Sequence, residues 1–119
     1  MANPNIVNVS SILGKTDTFA LTTTLTSLVT CTTDKVFKVN SIFVANVDGT
    51  NAADVTIEVN DGSNDRAIAS TISVPADASL SIIDKNNSFY LEQGYIIKGQ
   101  ASANGDLECL ISYEILDDA

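Results

Sequence analysis

Histidine and tryptophan are absent from this chain, and basic residues are scarce: six Lys and Arg stand against 15 Asp and Glu. Without histidine there is no Ser-His or Cys-His nucleophile pair, and the commonest metal ligand is missing. Without tryptophan, a sugar-stacking platform would rest on Tyr90, Tyr95 and Tyr113 alone. The bases Lys15, Lys35, Lys38, Arg66, Lys85 and Lys98 are scattered, and the net charge is −9. Phosphate contacts need clustered Lys and Arg, so neither nucleic acid nor an anionic membrane is expected as a partner. No GxxxxGK[ST] or GxGxxG phosphate loop occurs. No apolar run approaches the length that spans a bilayer. The start, Met1-Ala2-Asn3-Pro4-Asn5, has neither the basic nor the apolar region of a secretion signal, so a protein made in a cytoplasm without such a signal is expected. The two cysteines, Cys31 and Cys109, form no CxxC pair and are too few for a disulfide framework. Buried free thiols are the expectation, with one bridge between two strands as the alternative.

Paired carboxylates are the remaining catalytic option. Asp48, Asp54, Asp61, Asp65, Asp77, Asp84 and Asp106 nearly all fall in turn-like segments. A turn aspartate has a sufficient structural reason, the bond its side chain accepts from a nearby backbone N–H. Asn60-Asp61-Gly62-Ser63-Asn64-Asp65 gathers oxygens in a way that invites calcium, but it lacks the DxDxDG spacing and the distal bidentate Glu. No catalytic, cofactor-binding or metal-ligating residue is assigned, no cofactor is expected, and the chain reads as a non-enzyme.

What is present is a core and a strand pattern. At 119 residues and 45% apolar, the chain suits one domain able to bury its own core. Charged residues make up 18%, below the roughly 25% usual for soluble domains, so Ser, Thr, Asn and Gln must supply much of the surface. Apolar residues alternate with period two, and β-branched residues fill nearly every element. Ile6-Val7-Asn8-Val9 reads as a short strand. Thr16 to Thr33 reads as two, and Val36 to Val47 as the longest, apolar on both faces of its second half as in a strand covered on each side. Further strands are expected at Val55–Val59, Arg66–Val74, Leu80–Ile83, Phe89–Leu91, Tyr95–Ala101 and Asp106–Leu116. In the last, Leu107, Cys109, Ile111, Tyr113 and Ile115 share one face. Asp48-Gly49-Thr50-Asn51, residues 60–65 and Pro75-Ala76-Asp77 punctuate them, and Asn104-Gly105 is a strong hairpin signal. Eight to ten short strands at this spacing predict an all-β, antiparallel β-sandwich or jelly roll. Residues 1–15 read as an N-terminal strand or arm, and 16–119 as a single β-sandwich domain.

Three stretches resemble small virion structural proteins of tailed phages, especially marine phages of cyanobacteria. They are Asn5–Val9 with Gly14-Lys15-Thr16; Val36–Ala53 leading into Val55-Thr56-Ile57; and Ile72–Asp77 onward through Leu91-Glu92-Gln93-Gly94 to Ser112-Tyr113-Glu114. These motifs mark strands and turns, so no functional residue comes with them. The resemblance implies a virion component made in the host cytoplasm. A capsid decoration (cement) protein is the first expectation, a homotrimer on the outer head surface that bridges units of the major capsid protein. The N-terminal segment from Ala2 to Lys15 would be its arm. A tail, neck or baseplate component is the second expectation, and a module binding host glycans through Tyr90 and Tyr95 the third.

Overall fold

The computed structural model describes residues 4–117. Among the described residues nine strands run in chain order: β1 Ser11–Ala20, β2 Thr26–Thr30, β3 Lys35–Asn46, β4 Ala53–Asn60, β5 Asp65–Val74, β6 Ser79–Ile83, β7 Phe89–Leu91, β8 Ile96–Ala101 and β9 Leu107–Asp117. No described residue is helical. One sheet has the order β1-β9-β3-β6, with β7 also paired to β3, and the other has the order β2-β8-β4-β5. Every pairing is antiparallel.

Along β3, β6 pairs residues 42–45 and β7 pairs residues 37–39, so the two follow one another down the same edge as one strand interrupted at residues 84–88. Counted so, the first strand pairs with the last, the second with the next to last, and so on to β4 with β5. That nesting is the jelly roll, a sandwich of two Greek keys. The sequence expectation of an antiparallel sandwich is met.

Every link between strands crosses from one sheet to the other, apart from the β4–β5 hairpin and the β6–β7 interruption. The Asn104-Gly105 turn, read from sequence as a hairpin, is therefore a corner joining β8 to β9 in opposite sheets. Gly105 adopts φ 81° there, which only glycine takes without strain.

The core lies between the sheets. Leu107, Cys109, Ile111 and Tyr113 of β9 point inward at period two, facing Val55 and Ile57 of β4 and Ile97 of β8 across the sandwich. Phe37 and Tyr113 stack with ring centroids 5.0 Å apart. A bulge at Asn40 reverses the parity of β3: Phe37 and Val39 point inward before it, Ile42 and Val44 after it. The second half of β3 was expected to be covered on both faces. Instead Phe43 is 44% exposed on the outer side.

The chain start also differs from expectation. Residues 6–8 form a turn rather than a strand, with Val7 N–H donating to Asn5 Oδ1 at 3.0 Å. Residues 11–15, grouped on sequence with the arm, are the first half of β1, in continuous register with β9. Expected residues 1–3, 118 and 119 lie outside the described residues.

Candidate assembly surface

The aspartates of the long turns are engaged by their own loops. Asp48 Oδ1 accepts from the backbone N–H of Thr50 (2.8 Å) and Asn51 (3.2 Å), and these bonds lower its pKa. Asp61 Oδ1 accepts from Ser63 and Asn64, with the same effect. Asp65 is lowered by Asn60 Nδ2 and by Lys98, whose Nζ stands 3.2 Å away. In the 60–65 turn, Asn60 Oδ1 takes the Gly62 N–H. The oxygens that invited a calcium reading thus hold the loop itself. Among the described residues, no three carboxylates or thiols converge as metal ligands would.

Both cysteines are free and buried. Burial pushes the Cys31 thiol up to about 11 and the Cys109 thiol up to about 12, the reverse of what a nucleophile needs. The tyrosines do not gather into a platform. Tyr113 is a core residue whose hydroxyl donates to Asp17 Oδ2 at 2.6 Å. Tyr95 packs against the core, and Tyr90 stands exposed on the outer face of β7. A hollow of about 240 Å³ on the four-stranded sheet is lined by Asp54, Thr56, Thr71, Gln100, Ala101 and Ser102, without an aromatic side chain to stack on a sugar.

The outer face of the five-stranded sheet has a distinct character. Directly paired residues share a face, so the register defines its rows. One row is Thr18, Leu110, Phe43 and Ser81, and the next is Ala20, Glu108, Ala45 and Ser79. Toward the other end come Thr16 and Ser112, whose hydroxyls are 2.8 Å apart, and then Gly14, Glu114, Lys38 and Tyr90. Thr16, Thr18, Ser79, Ser81 and Ser112 make this face rich in hydroxyls. Phe43 and Leu110, 44% and 41% exposed, form an apolar pair at its centre.

At the far end of the same face, Val36 and Leu116 are buried although they point away from the core. The N-terminal segment crosses there: Pro4 is buried, and Pro4, Ile6, Val36, Tyr90 and Glu92 line one groove of about 340 Å³. An alternating sequence pattern marks this segment as an arm but does not say which outward residues it lies beside. Ile6, Val7, Ile12 and Leu13 remain exposed beside it.

No family model matches the chain, and no curated protein matches it. Among solved structures, it is similar to a protein of Bacillus endospore appendages, described as a novel family of disulfide-linked pili. That match has a TM-score of 0.56 and 14% identity, and covers 92% of this chain and 88% of the other. The likeness is one of fold. A second structure, a pentameric capsid protein isolated from metagenomic phage sequences, aligns with a TM-score of 0.40 and 17% identity over 86% of this chain and 62% of the other. That superposition is too loose to argue from. What fold and surface define together is a jelly-roll sandwich with one hydroxyl-rich outer face that exposes an apolar pair.

Proposed function

We propose that this chain is a non-enzymatic structural subunit of a phage particle, acting as a decoration protein on the outer surface of the head and contacting the major capsid protein. The observation that carries the reading is the outer face of the five-stranded sheet, where the exposed Phe43–Leu110 pair sits among Ser, Thr and Ala side chains with Glu108 as the one charged neighbour in the adjoining row. Burying the centre of this face removes apolar area from water and desolvates one carboxylate, Glu108. Many copies of a modest contact add up on a shell, even where each alone is weak. Nothing on the described surface singles out three-fold symmetry, so the expected trimer forms no part of the proposal.

Purified particles test it. A copy number near that of the major capsid protein, with density on the head exterior, supports decoration; about a dozen copies at the neck or tail replaces it with the tail, neck or baseplate reading. Phe43→Ser should lower occupancy on particles while leaving the fold intact, since the side chain is already half in water. Undiminished occupancy would remove this face from the contact.

A further inference from the structure

A sandwich has open strand edges, each a row of unpaired N–H and C=O groups that another strand can meet. Three of the edges here are blunted. The β5 edge carries bulges and a left-handed Thr71 at φ 50°. The β2 edge has five residues and a register shift, and the β6–β7 edge is broken at residues 84–88. The β1 edge has no bulge, break or left-handed residue, and its two charges, Lys15 and Asp17, are opposite in sign. It runs ten residues in unbroken register with β9, contains no proline, and carries Ile12 and Leu13, 61% and 60% exposed, on opposite faces.

We propose that β1 is a homotypic interface, pairing antiparallel with β1 of a second copy across a two-fold axis at Thr16 so that the five-stranded sheets join into one. The ladder phase is compatible. Leu21 N–H donates to Leu107 O in continuation of the β1–β9 register, so odd residues of β1 bond to β9. The N–H and C=O groups of Ile12, Gly14, Thr16, Thr18 and Ala20 then point to the open side. A joined sheet keeps inner residues opposite inner ones, which requires the axis to pass through a residue rather than between two, each step of the axis shifting the register by two.

Charge selects among them. An axis at Lys15 sets Lys15 against itself, and an axis at Asp17 does the same with Asp17. An axis at Thr16 sets Lys15 opposite Asp17 of the partner subunit, twice over. It also sets Leu13 opposite Phe19 of the partner subunit and Ile12 opposite Ala20 of the partner subunit. The Lys15–Asp17 pair, 3.5 Å apart within one copy, then becomes part of a four-charge group across the seam. This pairing uses the β1 edge, leaves the Phe43–Leu110 pair outside the seam, and does not depend on the particle reading.

Sedimentation velocity on the full chain and disulfide trapping test the proposal. The wild type should sediment as a dimer at about 100 µM. Thr16→Cys should form a disulfide-linked dimer on mild oxidation, because paired Cα atoms lie about 5.5 Å apart. Gly14→Cys alone should not. Lys15→Asp, at an exposed side chain, should weaken the dimer on the order of tenfold or more, and Lys15→Asp with Asp17→Lys should restore it. Monomeric wild type, a trimer, or a dimer that tolerates Lys15→Asp and leaves Thr16→Cys unlinked would each overturn the pairing.

Discussion

Gly99 is buried on β8 between Ile97 and Ala101, paired with Ile57 of β4 and Thr26 of β2. A Cβ at this position would meet Leu28 Cδ1 at 2.7 Å, Leu21 Cδ2 at 3.2 Å and Ile57 Cδ1 at 3.3 Å. Carbon atoms rest about 3.5–4.0 Å apart, so Gly99→Ala drives Leu28 back by close to an ångström. Overpacking of this kind costs about 1–3 kcal/mol, and the lower end applies because Leu28 gives way at the tip of a half-buried side chain. Alanine returns about 0.5–1 kcal/mol by restricting the unfolded chain. The expected net loss is about 0.5 kcal/mol or less, read as a slightly lower urea midpoint at unchanged m. The mechanism is isolated by repeating the substitution in a Leu28→Ala background, where the new methyl has room. There Gly99→Ala should be neutral or stabilising, with a coupling energy of about 1 kcal/mol. Equal losses in both backgrounds would show that contact with Leu28 is not the cause, and a stabilised single variant would refute the packing argument outright.

Asn46 is buried at the end of β3, where its Nδ2 donates to Asn51 O and Val74 O and its Oδ1 accepts from Asp48 N–H. Asn46→Ala strands three backbone groups and should cost about 2–4 kcal/mol in urea unfolding; a loss under about 1 kcal/mol would mean water replaces the amide. Stability should also fall in alkali. The native state holds the protons of Cys31, Cys109 and Tyr113 above their ordinary pKa values, chiefly through burial and for Tyr113 also through the Asp17 carboxylate. The unfolded chain releases its thiol protons near pH 9 and its tyrosine protons near pH 10, so this contribution is whole below about pH 9 and is lost as pH rises through about 12. Urea midpoints at pH 7, 9 and 10.5 check the sign, and Tyr113→Phe should flatten the upper part of the decline.

The strands were legible because alternation is a direct imprint of a half-buried sheet. β4 and the inward row of β9 through Tyr113 fall where the pattern places them. The errors fall where one chemical signal serves two structures. Asn104-Gly105 marks a reversal of direction, but turn residues do not say whether the next strand stays in the sheet. An apolar residue on each parity of β3 fits a strand covered twice, and equally a strand with a bulge; Asn40 makes it the second. Ile6, Val7 and Val9 look like strand residues, yet Asn5 turns the chain there, its side chain and carbonyl taking the N–H groups of Val7 and Asn8. Asn46 had no signal at all, being one asparagine among many. The candidate surface was the least legible part, because exposed apolar side chains and bare edges are defined by what fails to cover them.

The nested pairing has a consequence for how the protein is made. Ser10 bonds to Asp117 across 107 residues, and β9 separates β1 from β3, so the larger sheet has no centre until its last strand arrives. During synthesis, β4 and β5 can close their hairpin early, but β1 must wait unpaired until residue 117 has left the ribosome. Contacts this distant in sequence put folding in the millisecond-to-second range. For that interval β1, with Ile12 and Leu13, is available to any strand nearby, including the same segment of another nascent chain.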